Sequence, residues 1–253
     1  MISQGWHKAG MKAKTMNIKT NLLTGLTALS LLVTTPALAA LKTPAVSTQN
    51  GISSSSASAS DAFPGLKGFL NLPAADRSQI NIYYTARIKH ADPSQVHMTL
   101  TDGSGNHTLM IRPDGRIEPL PTREQLNNGA KVTISGPDTG SYAMRIHVYS
   151  TQPRSTTYDV AALVTGIKQG NSAMGKVAGP AAILLKKLDR VYFVGGGNAT
   201  VQTGGQQQPL PRTSGDGEYP SGTPYFVPSA FPGATRISLS AAPSIVLLDN
   251  ASK

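Results

Sequence analysis

Four histidines, His90, His97, His107 and His147, fall in one stretch of the chain and are the first residues to weigh for chemistry. Imidazole is the commonest metal ligand and the side chain best placed to move protons near neutral pH. None of the four sits in a ligand motif such as H-E-x-x-H, so they read as exposed strand histidines and no metal site is assigned. The acids Asp92, Asp102, Asp114 and Glu118 stand beside turn residues, where a short carboxylate serves the backbone. There is no G-x-S-x-G elbow, and the chain has no cysteine, which removes thiol nucleophiles and thiolate metal sites. No catalytic residue and no cofactor-binding residue is therefore assigned, although carboxylates distant in sequence could still pair in space.

Two further segments invite a chemical reading. Arg190-Val191-Tyr192-Phe193-Val194 followed by Gly195-Gly196-Gly197 has the look of a strand and phosphate loop. That fingerprint needs a helix whose N-terminus meets the phosphate, yet Thr200-Val201-Gln202 reads as strand, so a hairpin is expected instead. Tyr219 to Pro228 is aromatic and proline-rich. It reads as a structural crossover, or, in a hydrolase, as the wall of a cleft.

The elements that must position these residues are mostly strands. Gln79–Ile88, Val96–Thr101, His107–Ile111, Lys131–Ser135 and Tyr142–Tyr149 carry β-branched and aromatic residues with full or partial alternation. Asp102 to Asn106 and Pro113-Asp114-Gly115 supply turns, and Thr122 to Leu126 a single helical turn. Between Thr157 and Leu188 the period changes. Val160, Leu163, Val164 and Ile167, then Met174, Val177, Ile183, Leu184, Leu185 and Leu188, fall at helical spacing, interrupted by Gly170 and Gly179-Pro180. Two helices, or one broken helix, are expected there, with the stripe as core.

An internal repeat organises the rest. Gly103–Thr108 is echoed by Gly195–Thr200, Gly115 to Pro121 by Gly205 to Pro211, and Gly129–Ser135 by Gly233–Ser240, with Leu126 answered by Phe231. The expected fold class is α+β, predominantly β: two similar antiparallel β-modules, meander- or sandwich-like, flanking a two-helix segment. The corresponding boundaries are a signal peptide over 1–39, a disordered serine-rich tether over 40–61, a first β-module over 62–156, a helical segment over 157–188 and a second β-module over 189–253. The tether is inferred from Ser53 to Ser60, which offers little apolar surface against the entropy of ordering.

Lys12, Lys14 and Lys19, the apolar run Leu22–Val33 and Pro36-Ala37-Leu38-Ala39 have the order of a Sec-type signal peptide, cleaved after Ala39, with initiation at Met1, Met11 or Met16. The apolar run is shorter than the roughly 20 residues that span a bilayer, so no membrane span is expected in the mature chain. The first 39 residues hold four of the 23 basic residues and none of the 13 acids, so the formal charge falls from +10 to +6 on their removal. The remaining basic residues are scattered, and no nucleic-acid partner is expected.

The order of signal peptide, strand-rich module, paired helices and closing strand module resembles that of uncharacterised secreted proteobacterial proteins. Leu188 through Leu210 and Gly233 to Leu247 carry the resemblance, which implies compartment and architecture and no activity. The expectation is a periplasmic or secreted protein, a noncatalytic cell-envelope binding or structural module for a protein or glycan partner. The alternative is a periplasmic hydrolase with a site between the two β-modules. A concave pocket with convergent polar groups favours the hydrolase, and a flat or convex surface favours binding.

Overall fold

The computed structural model describes residues 45–49, 51–178, 186–215 and 218–251. The expected signal peptide therefore lies outside the described residues. The fold is α+β and mainly β, and every strand pairing is antiparallel.

The first half of the chain runs β1 (Ala45–Gln49), β2 (Ile52–Ser58), α1 (Ala59–Ala62), α2 (Leu66–Asn71), β3 (Ile80–Lys89), β4 (His97–Asp102), β5 (Gly105–Ile111), β6 (Ile117–Glu118), α3 (Arg123–Asn127), β7 (Lys131–Pro137) and β8 (Ser141–Ser150). The second runs β9 (Thr157–Asp159), α4 (Val160–Ala178), β10 (Arg190–Val194), β11 (Ala199–Thr203), β12 (Gln206–Pro209), β13 (Tyr225–Phe226), a 3-10 turn at Pro228–Ala230, β14 (Ala234–Leu239) and β15 (Ile245–Asp249).

The two halves repeat one topology. One sheet has the order β1-β2-β7-β4-β5-β6 and another β12-β11-β14-β9, so β2-β7-β4-β5 matches β9-β14-β11-β12. Both halves contribute strands to a shared sheet of order β13-β10-β15-β8-β3, called the central sheet below. From its β8–β15 seam, where Leu247 faces Tyr149 and Leu248 faces Val148, the sheet runs outward alike in both directions. On one side come β8, β3 and a bridge from Thr85 to Arg116; on the other come β15, β10 and β13. The core is continuous, with Ile80, Tyr84, Leu100, Leu163, Phe193, Ile237 and Leu248 in one buried cluster.

The expected tether is corrected by this arrangement. Serines 53–56 form the middle of β2, which pairs with β1 on one side and with β7 on the other, Ile52 opposite Pro137 through Ser58 opposite Lys131. Two ladders satisfy the backbone polar groups of β2. Apolar side-chain content alone therefore understates what orders this segment. Ser58 then caps α1 by accepting from the Asp61 N–H, and Ala59 is fully buried.

The expected boundaries at 157 and 189 also divide one unit, because β9 and α4 precede β10 as β2, α1 and α2 precede β3. Asp159 caps α4, accepting from the Ala162 N–H at 2.8 Å. Val160, Leu163, Gly166, Ile167, Gly170 and Ala173 form its buried stripe. Gly170 does not interrupt the helix. A Cβ there would stand 2.5 Å from Leu188 Cδ1, so the glycine admits a close neighbour. Residues 183–185 of the expected second helical run lie outside the described residues.

Of the three echoed blocks, the third falls on equivalent elements. Gly129 and Gly233, at φ of 74° and 75°, each link a helical turn to β7 or β14. The first does not: Gly103-Ser104 turns β4 into β5, whereas Gly195–Gly197 carries the chain from β10 in the central sheet to β11 in another. The true counterpart of the first turn is Gly204-Gly205, between β11 and β12. The second block is likewise out of register, since Gly115 turns β5 into β6 whereas Gly205 turns β11 into β12, the counterpart of β5. The glycine triplet is thus a crossover between sheets rather than the expected hairpin, and a strand follows it.

Candidate functional site

Alternation along the central sheet sorts its residues onto two faces. Ile82, Tyr84, Val148, Leu248, Val191 and Phe193 point into the core. The other face carries Tyr83, Thr85 and Arg87 from β3, Arg145, His147 and Tyr149 from β8, Leu247 and Asp249 from β15, and Arg190 and Tyr192 from β10. A face built from tyrosines, arginines, a histidine and a carboxylate is suited to recognition.

One loop from each half folds over this face. In the first half, Gly115 donates its N–H to the Arg112 carbonyl, and its own carbonyl accepts from the Ala86 N–H at 2.8 Å. That turn lays the Arg116 guanidinium over the Tyr83 ring, 4.8 Å from its centroid. In the second half, Thr213 donates to the Pro220 carbonyl at 2.6 Å and accepts from the Thr223 N–H at 3.0 Å. That turn sets Tyr219 on Tyr192, ring centroids 4.0 Å apart, with its hydroxyl donating to Asp249.

Glu218 reaches onto the same face. Arg145 contacts its carboxylate and Arg87 lies 3.6 Å away. Its burial raises its pKa above the ordinary carboxylate value, against the pull of Arg145. His147 stacks on Tyr83 at 4.8 Å, and burial, reinforced by Arg145, lowers its pKa to about 4. Burial pushes the Tyr83 phenol up to about 12 and, joined by the Asp249 carboxylate, raises that of Tyr219 further. At neutral pH the imidazole is neutral and both phenols keep their protons.

Among the described residues three clefts that open on this face share Arg116 in their lining. One of about 690 Å³ contains Thr85, Arg87, His147, Glu218 and Tyr219. A second of about 560 Å³ contains Arg77, Asn81, Glu118 and Tyr149. A third of about 400 Å³ contains Tyr149, Gln152, Arg154 and Ser244. Their acids are occupied: Glu218 by Arg145, Asp114 by Arg116 at 3.3 Å, and Glu118 by Arg112 at 3.0 Å.

The cleft of about 690 Å³ holds one arrangement that resembles catalytic machinery. Thr85 Oγ1 lies 2.9 Å from His147 Nε2, and His147 Nδ1 lies 4.0 Å from Glu218 Oε1. Hydroxyl, imidazole and carboxylate thus follow in the order of a nucleophile relay. The second gap exceeds hydrogen-bond length.

The four histidines do not converge. His90 lies between β3 and β4 at φ of 60°, His97 is exposed at the start of β4, and His107 bonds Asp102 at 3.1 Å on β5. Only His147 reaches the face. Among the described residues no group of three or more His, Cys, Asp or Glu side chains could hold a metal. Of the acids beside turns, Asp92 accepts from the Ser94 N–H, Asp102 from that of Ser104 and Asp114 from that of Arg116, while Glu118 pairs with Arg112. Tyr219 and Pro220, from the proline-rich segment, do line a cleft.

Sequence reasoning missed Arg116, Arg145, Glu218 and Asp249. The signal was the other phase of the strand alternation: Tyr83, Thr85 and Arg87, with Arg145, His147 and Tyr149, form a polar and aromatic period-two pattern on paired strands. Compared with protein-family models, curated proteins and solved structures, the chain matches none.

Proposed function

We propose that this chain is a noncatalytic binding module of the cell envelope, exported by its signal peptide, and that the open face of the central sheet binds a saccharide. The observation that carries the reading is the setting of Tyr149. Its half-buried ring stands between the clefts of about 560 and 400 Å³, with Arg116 lining both. An aromatic ring edged by hydrogen-bond donors matches a sugar, whose C–H face is apolar and whose rim is hydroxyl. The pairing of the cleft acids supports binding over hydrolysis, because a carboxylate held by an arginine is not free to shuttle a proton.

Titration of the isotopically labelled chain with neutral and acidic tetrasaccharides, followed by amide NMR, tests this reading. At least one should shift the amides around Tyr149 and Arg116, and Tyr149→Ala should abolish the shifts. The reading falls if none of the sugars perturbs this face.

The Thr85, His147 and Glu218 series favours a second reading, a hydrolase acting in the cleft of about 690 Å³. Its test is turnover of p-nitrophenyl acetate. We expect no rate above buffer, whereas a rate abolished by His147→Ala would establish the hydrolase and displace the binding module.

A further inference from the structure

We propose that the saccharide is an acidic one, and that Arg116, Gln152 and Arg154 form the subsite for its carboxylate. This rests on the saccharide-binding reading and narrows it to a ligand class. The cleft of about 400 Å³ is lined by two arginines and a glutamine beside Tyr149, and no Asp or Glu among the described residues lines it. Two donors in it are buried without a hydrogen-bond partner among the described residues: Arg116 Nε and Gln152 Nε2. Buried donors left unpaired are costly, and their coincidence on two residues of one lining marks this wall of the cleft as rich in donors and short of acceptors.

The arginines divide their roles. Arg116 places one terminal nitrogen against exposed Asp114 and its guanidinium face over Tyr83, which fixes the group while its Nε keeps no hydrogen-bond partner among the described residues. Arg154 is exposed on the connection from β8 to β9 and joins no ion pair among the described residues. A guanidinium edge and a primary amide present planar N–H donors, the geometry that a planar carboxylate accepts. The neighbouring hydroxyls add little donor capacity, since Ser244 donates to the Val194 carbonyl and Thr151 to that of Ser78. A carboxylate placed here sets the attached ring against Tyr149, with the rest of the chain running into the 560 Å³ cleft past Asn81. That is the shape of a uronic-acid oligomer.

Calorimetric titration with tetragalacturonate and with its fully methyl-esterified form tests the proposal, because esterification removes the charges and keeps the sugar skeleton. The free acid should bind at least about tenfold more tightly, and its advantage should shrink as salt screens the arginines. Arg154→Ala and Gln152→Leu should pull the ratio of the two affinities toward one by weakening the free acid more than the ester, with folding of each variant checked by urea unfolding. Tyr149→Ala should weaken both ligands together. Equal binding of acid and ester overturns the carboxylate subsite and leaves the saccharide reading standing. Failure of both ligands, and of every sugar in the NMR panel, overturns the two together. Displacement of galacturonate by an equal concentration of inorganic phosphate shows a general anion site and overturns the acidic-sugar assignment.

Discussion

The two ends of the central sheet's open face have the same topology and opposite character. Beyond β10, the loop of the second half closes its own end: Tyr219 lies on Tyr192, Tyr225 packs beside them, and the Tyr219 hydroxyl is held by Asp249. Beyond β3, the loop of the first half contributes an arginine rather than a ring, and around Arg116 the surface opens into clefts. One architecture has been filled at one end and left open at the other. Stability should therefore reside in the tyrosine end and recognition in the arginine end.

The strongest test of that division is Tyr219→Ala, which removes a large buried ring. By analogy with aromatic truncations it should cost about 3–5 kcal/mol, read as a lowered urea midpoint with an unchanged slope. A loss under about 1 kcal/mol would show the closed end to be ornamental. Next in size is the pH response of the histidine between the two ends. Unfolded imidazole takes a proton near 6.5, whereas folded His147 does so only near 4. Between those values the unfolded chain binds more protons, so stability falls as pH falls through the window, by on the order of 2–3 kcal/mol. Glu218 acts in the opposite sense, since its raised pKa lets the folded state take up a proton first as pH drops. The difference in urea stability between pH 7.5 and 4.5, compared with that of His147→Gln, isolates the histidine. The variant should lose most of the slope.

Tyr219→Phe sharpens the comparison further. It keeps the stack and deprives the Asp249 carboxylate of its phenol, for about 1–2 kcal/mol. Arg116→Ala should have the smallest effect on stability, under about 1 kcal/mol, because the partner in its ion pair, Asp114, is exposed. Yet it should abolish the saccharide-induced shifts near Tyr149. If Arg116→Ala unfolds the chain as readily as Tyr219→Ala, the two ends do not differ in kind.

The strands were legible wherever alternation was strong: β3, β4, β5, β7 and β8 begin and end within about two residues of the sequence reading, and the capping box at Thr122 and Gln125 marks α3. What failed did so for physical reasons. Serines in β2 carry no burial signal, because their ordering comes from backbone ladders to strands elsewhere in the chain. The glycine blocks aligned by composition, whereas topology aligns them by position between strands. Glu218 was invisible because its importance depends on Arg145 and Arg87, both more than seventy residues earlier, and Arg116 because a turn residue gives no hint of the ring it will cover. Pairing across distance decides the site, and a local pattern does not contain it.

The β8–β15 seam has a consequence for how the face comes into being. Tyr149 belongs to the first half, but the neighbour beside it is Leu247, on the latest strand in chain order. Until β15 inserts between β10 and β8, both strands present open edges and the cleft of about 400 Å³ lacks Ile245 and Val246. The receptor surface is thus a product of completion. A chain interrupted before Ile245 would retain every arginine of the open end and lose the β15 wall of the smaller cleft, so capture of an acidic ligand should report that the fold has closed.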